Sequence, residues 1–147
     1  MLSVVALGPG WMEIDEMHRR VAAARVARLG TLSGSGAPHL VPFCFALAGE
    51  VLYSAVDRKP KRTSRLSRLR NVAADPRVAV LVDHYEEDWS RLWWIRLDGR
   101  ALELEAGEEA EGALAQLQEK YPQYAATPPA GPVLRIDVER WQGWSAS

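Results

Sequence analysis

Between Asp57 and Asn71 the chain gathers seven basic side chains, Arg58, Lys59, Lys61, Arg62, Arg65, Arg68 and Arg70, and no acid falls between Arg58 and Arg70. The rest of the protein keeps 11 of the 18 Lys and Arg residues against 19 Asp and Glu, so one basic island sits on an acidic body. Pro60 suits a first helical turn, Thr63 and Ser64 can cap, and Leu66, Leu69 and Ala73 recur at helical spacing. The island therefore reads as the start of a helix. Stability alone would place acids there. Cations at a helix N-terminus oppose its dipole, and like-charged pairs such as Arg58/Arg62 and Lys61/Arg65 cost roughly 0.2–0.5 kcal/mol each. A bound anion offsets that cost better than surface carboxylates do. Charge-assisted bonds from Arg, Lys and free backbone N–H groups to a phosphate contribute roughly 1.5–3 kcal/mol apiece, and exposed ion pairs about 0–1. The competing reading is a solvated basic face that also covers the body's acids.

The other chemistry-bearing residues are scattered. Cys44 lies in the apolar run Val41 to Leu47 and reads as a small buried hydrophobe. His18 falls off the apolar stripe of its helix, with no ligand partner at metal spacing, and reads as solvated. His39 and His84 read as surface or hydrogen-bonded residues, although His84 and Tyr85 follow a strand end where a proton donor could stand. Asp83, Glu86, Glu87 and Asp88 form an acidic loop suited to pairing with the island or, less well, to holding a cation. Gly34-Ser35-Gly36 lies between two strands with no helix after it, so it supports neither a dinucleotide fingerprint nor a Walker loop. No Ser/His/Asp or Cys/His constellation is defensible, no catalytic residue is assigned, and no metal is expected.

The elements that must position these residues follow from periodicity. Glu13 to Arg28 reads as a helix with Ile14, Met17, Val21 and Ala24 inward and acids in its first turn. Val26 to Ser33 and His39 to Leu47 read as a hairpin across Gly34–Pro38. Pro42 inside the second strand requires an edge or a bulge, where a flat ligand reaches free backbone groups. Val51–Val56 is a strand that delivers the island. After the island helix, Asp75-Pro76 stops it and Arg77–Val82 forms a buried strand. Leu92–Leu104 is a long strand bent at Gly99. Glu108–Lys120 is an amphipathic helix ended by Tyr121-Pro122, and Val133–Trp141 is the last strand.

At 147 residues the chain is expected to be one domain, 1–147, with a single core. A net charge of −1 and a pI near 6.3 argue against a dedicated nucleic-acid binder. One cysteine excludes an internal disulfide. The apolar Met1–Leu7 lacks a basic flank and runs into Gly8-Pro9-Gly10, and no run approaches membrane-spanning length, so a cytoplasmic protein without membrane contact is expected. Mostly antiparallel strands with short turns and three helices suggest a mainly β (α+β) small barrel with helical additions.

Four stretches carry a family likeness: Gly30-Thr-Leu-Ser-x-x-Gly-x-Pro38, Leu52-Tyr-Ser-Ala-Val-Asp-Arg-Lys-Pro-Lys61, Asn71-Val-Ala-Ala-Asp-Pro-Arg-Val78 and Asp98-Gly-Arg-Ala101. In this order and spacing the chain resembles the pyridoxamine 5′-phosphate oxidase-like split-barrel family, in particular its branch that uses the deazaflavin coenzyme F420. The resemblance implies an FMN-binding-type split β-barrel of about six antiparallel strands with three peripheral helices. It also implies a homodimer with the cofactor groove at the interface. By the same match, Arg58 and Lys59 take the positions of the family's phosphate pair, with Lys61, Arg62 and Thr63 beside them. Val41, Pro42 and Phe43 match the strand along the ring, and Ser54 and Ala55 match its neighbour. Trp141 and Trp144 are candidates to stack on the ring from the partner subunit, core or interface packing being the plainer role. Adjacent Trp93 and Trp94 point to opposite faces, and the outward one suggests a dimer seam.

The expected activity is hydride transfer between the reduced deazaflavin and a small organic substrate. The family's substrate-phosphate residues have no convincing equivalent, so pyridoxamine phosphate is not the expected substrate. The alternatives are an FMN-dependent oxidase or reductase of the same fold, a cofactor-binding protein without turnover, and a nucleic-acid or polyanion binder using the basic helix.

Overall fold

The structure, a computed structural model, describes residues 3–4, 10–56 and 62–147, without the side chains of 3, 4 and 62–66. Eight strands and four helices follow in the order β1 (Ser3–Val4), α1 (Ile14–Ala23), β2 (Ala27–Leu32), β3 (Pro38–Phe43), β4 (Ala46–Ala48) and β5 (Val51–Ala55). Then come α2 (Arg62–Ala74), β6 (Arg77–His84), a 3-10 turn (Trp89–Arg91), β7 (Trp93–Leu104), α3 (Glu108–Lys120), α4 (Pro122–Ala126) and β8 (Val133–Ser145).

One sheet runs in the order β3-β2-β6-β7-β8-β5-β4, antiparallel throughout, with β1 added parallel to β8. β3 and β4 stand at opposite ends of that order, yet only Cys44 and Phe45 separate them in the chain. A two-residue link spans at most about 10 Å, so the sheet must roll until its ends meet. The two ends are not paired with each other among the described residues. The result is a split barrel of the expected mainly β class, with more strands and one more helix than the sequence pattern suggests.

The differences have local causes. The His39–Leu47 run breaks at Cys44-Phe45 because the chain changes ends of the sheet there. α1 stops at Ala23 rather than Arg28. Ala24 turns extended (φ −69°, ψ 141°), and from Ala27 onward the backbone is taken by pairing with Phe43. Pro122 stops α3 and also opens α4, since its fixed φ and missing N–H suit a first helical position. β8 continues past Trp141 to Ser145 because β7 offers it partners as far as Trp93.

The core lies inside the roll. Met17 and Val21 of α1 and Leu29, Leu52, Val80, Ile95, Leu97, Ile136 and Trp141 of the strands are fully buried. β6 shows the alternation that sustains one buried face, with Val78, Val80 and Val82 inward and Arg77, Ala79, Leu81 and Asp83 outward. The bend in β7 is a bulge between Asp98 and Gly99. A Cβ at Gly99 would fall well inside contact distance of the Asp137 carbonyl oxygen, so glycine is required by close backbone approach. Among the described residues no helix is long and apolar enough to cross a membrane.

Candidate functional site

The roll brings the Cys44-Phe45 link, which follows β3, alongside the end of β5. Ala46 pairs with Tyr53, so the residues just before Ala46 run alongside Ser54 and Ala55. Ala55 and Cys44 pack in one cluster with Leu117 and Tyr121. The chain leaves β5 at Val56 and re-enters the described structure at Arg62, the first residue of α2. Phe45 and Cys44 thus run beside Ser54 and Ala55, Val41–Phe43 come just before them in the chain, and α2 packs against β2 and β7.

The link that closes the roll is held from α3. The Tyr121 hydroxyl accepts the Phe45 N–H at 3.1 Å and lies 3.0 Å from the carbonyl oxygens of both Phe45 and Arg25, to either of which its proton can go. Lys120 Nζ donates to the Phe45 carbonyl at 2.9 Å and stands 4.0 Å from the Phe45 ring centre. Burial pulls the Lys120 ammonium down to about 8, with the Arg25 charge adding to it, and burial pushes the Tyr121 hydroxyl up. The Phe43 and Phe45 rings lie 5.6 Å apart beneath the link.

The expected cofactor residues fall out as follows. Pro42 is exposed on β3, which is an edge strand, as its missing N–H requires. Val41 is half-buried. Phe43, Ser54 and Ala55 are buried at 5%, 2% and 6% exposure, so they offer a ligand backbone rather than side chain. Arg58, Lys59 and Lys61 lie outside the described residues. Arg62 and Thr63 stand in the first turn of α2, their side chains also outside the description.

Trp141 needs correcting. It is fully buried in the core, its ring stacks on His18 at 4.1 Å, and its Nε1–H donates to Glu50 at 2.8 Å. An indole with its face on His18 and its N–H on Glu50 inside its own subunit is not available to a ring in a partner's groove. His18, read as solvated, is the other half of that arrangement, with Nδ1 2.9 Å from the Ile14 carbonyl and Nε2 2.8 Å from the second Glu50 oxygen. The only sequence sign of this was a helical position three residues from Val21, which does not predict a partner 32 residues away.

The acidic loop does not serve the island in the described contacts. Asp83 pairs with Arg28 at 3.6 Å, Glu86 with His84 and with Arg91 at 3.3 Å, and Asp88 caps the 3-10 turn at Ser90. Those bonds to Ser90 hold the Asp88 carboxyl below its ordinary range. His84 also lies parallel to Trp93, ring centres 6.4 Å apart, and Tyr85 is exposed beside Trp89.

α2 is anchored by a bond the sequence did not suggest. Asn71 and Val72 turn inward, Ala73 is exposed, and the buried Asn71 amide donates to Thr31 Oγ1 at 3.0 Å. At the opposite face of the sheet, Leu40 lies over Gly30, which pairs with Ala79. Leu40 is 74% exposed and Leu81 38%, so this outer face of β3-β2-β6 presents an apolar strip with Arg28 and Asp83 at its border.

Residues 14–145 match the family described as Pyridoxamine 5′-phosphate oxidase. No protein of curated function matches the sequence. Among solved structures, a conserved hypothetical protein from Mycobacterium tuberculosis superposes with a TM-score of 0.78 at 20% identity, over 97% of this chain and 91% of that one. A FAD-binding protein from Mesorhizobium loti gives 0.69 at 22% identity over 90% and 94%, and the heme storage protein HutZ from Vibrio cholerae gives 0.70 at 16% over 90% and 96%. At these identities the likenesses establish the fold.

Proposed function

Because the chain belongs to the pyridoxamine 5′-phosphate oxidase family, we propose that it is an oxidoreductase dependent on coenzyme F420, working as a homodimer with one cofactor groove at each end of the interface. The observation that carries the reading is that the Cys44-Phe45 link, which follows Val41–Phe43, runs beside Ser54–Ala55 at the strand end from which the chain enters the basic island. A strand edge interrupted by Pro42 leaves backbone groups for a flat ring, and β5 is followed in the sequence by Arg58, Lys59 and Lys61. Cations concentrated where a strand passes into a helix fit a phosphate. When bound, the deazaflavin supplies the hydride. The chain's own part is to grip the charged end, to offer the ring an apolar floor and to keep water out. The exposed strip of Leu40 and Leu81 supports a second copy seated on the outer face, since such apolar area is rarely left to solvent.

A second reading is the same groove with a flavin. Its support is the fold shared with a FAD-binding protein, and nothing in Val41–Phe43 or Ser54–Ala55 distinguishes a flavin ring from a deazaflavin ring. Titrating tryptophan fluorescence with each cofactor separates them. Saturable quenching by the deazaflavin at concentrations where FMN and FAD leave the signal unchanged is expected. Tighter binding of FMN or FAD transfers the assignment to flavin, and a monomer at micromolar concentration overturns the shared groove.

A further inference from the structure

We propose that the cleft between the β2–β3 turn and the second half of α2 is a separate binding site for an organic anion, a carboxylate or a phosphate ester, held by His39, Arg70, Ser33 and Ser67. The cleft has a volume of about 700 Å³, with Ser33 and Gly34 on the turn side, His39 on β3, and Ser67, Arg70 and Asn71 on the helix side. β-pairing sets His39 directly across from Thr31, and Thr31 takes the amide of Asn71, so the imidazole lies beneath the same turn of α2.

His39 Nδ1 is shielded from solvent and has no hydrogen-bond partner among the described residues. A buried ring nitrogen in that state is satisfied by whatever polar group enters the cleft. The surrounding chemistry says which sign of charge that group carries. The described bond of the Arg70 guanidinium is a long one, 3.4 Å to Ser67 Oγ, and no described carboxylate pairs with it. The acid that follows it, Asp75, is taken by Arg77 at 2.6 Å. Ser33 Oγ accepts the Ala37 N–H at 3.0 Å and keeps its own proton to share between Ser35 and a ligand. The described lining therefore offers a guanidinium, an imidazole and two hydroxyls with no carboxylate, a donor set that suits carboxylate or phosphate oxygens.

The site is distinct from the start of α2. Arg70 follows Arg62 by eight residues, about 12 Å along a helix. The anion is either a second acidic group of the bound cofactor or a free organic acid, and the same chemistry serves both.

The protein has three histidines, His18, His39 and His84, so its imidazole Cε1–H NMR spectrum has three signals, and His39→Gln identifies one of them. Titration with citrate, and separately with inorganic phosphate, should move the His39 signal saturably and leave the other two in place. Arg70→Gln should weaken that binding at least tenfold and Ser67→Ala severalfold, with the unmoved His18 and His84 signals reporting an intact fold. Repeating the citrate titration with deazaflavin bound separates the sources: a lost response assigns the site to the cofactor's own acid group, and a retained one to a free organic acid. The citrate arm needs no cofactor, so it stands if the proposed cofactor fails to bind. No saturable shift of His39 with citrate, phosphate or cofactor, or equal affinity in Arg70→Gln, overturns the proposal.

Discussion

The side-chain amide of Asn71 donates to the hydroxyl of Thr31 at 3.0 Å, with both residues buried. This bond fixes the helix that begins at the basic island against the strand that leads to the β2–β3 turn. Removing one partner leaves the other buried and unpaired, at a cost of about 1–3 kcal/mol. Thr31→Val and Asn71→Leu should each lower the urea midpoint accordingly. The double variant should lose less than the sum of the two, and strict additivity would show that the bond contributes nothing.

Arg58→Ala with Lys59→Ala should weaken cofactor binding by at least a hundredfold, since each charge-assisted bond to phosphate contributes about 1.5–3 kcal/mol. The melting temperature of the cofactor-free protein should stay within about 2 °C or rise, because like-charge repulsion is relieved. Unchanged affinity in a fluorescence titration would remove both residues from the phosphate site.

Gly99→Ala forces a methyl group against the Asp137 carbonyl at the bulge where β7 and β8 change register. Backbone cannot yield as a side-chain tip does, so a loss of about 1–3 kcal/mol is expected from chemical denaturation. Gly34→Ala is the control, with open space around its Cβ position.

Lys120 gives a pH signature. Its folded pKa of about 8 lies below the ordinary 10.5, so between these values the unfolded chain binds the extra proton and stability rises with pH. Below about pH 8 both states carry the proton and the penalty is constant. The group is only half-buried, so the step is no more than about 1 kcal/mol after screening by solvent. Lys120→Met should flatten the stability curve between about pH 8 and 10. A wild-type slope that survives the substitution would assign it to another group.

Much of the secondary structure was legible because its signals are local. The stripe of Met17 and Val21, the whole span of α3, the bulge at Gly99 and the edge position of Pro42 each rest on residue type and a short period. Of the candidate site the sequence offers a strand followed by clustered cations, which is a contiguous pattern, and Arg58, Lys59 and Lys61 lie outside the described residues. Trp141 was misjudged because an aromatic near a chain end reads alike whether it faces a groove or the core. Its partners, His18 and Glu50, lie 123 and 91 residues away.

By itself the sequence determined which segments alternate, which coil, and where positive charge accumulates, all of which depend on neighbours within a few residues. The tertiary structure alone decided that β3 and β4 are joined by a two-residue link between opposite ends of the sheet, that Asn71 faces Thr31, and that His39 keeps a nitrogen under α2 unpaired among the described residues. Those relationships arise from rolling one sheet until its ends lie within reach of a two-residue link, and the energy that selects them is spread over contacts between residues far apart in the chain.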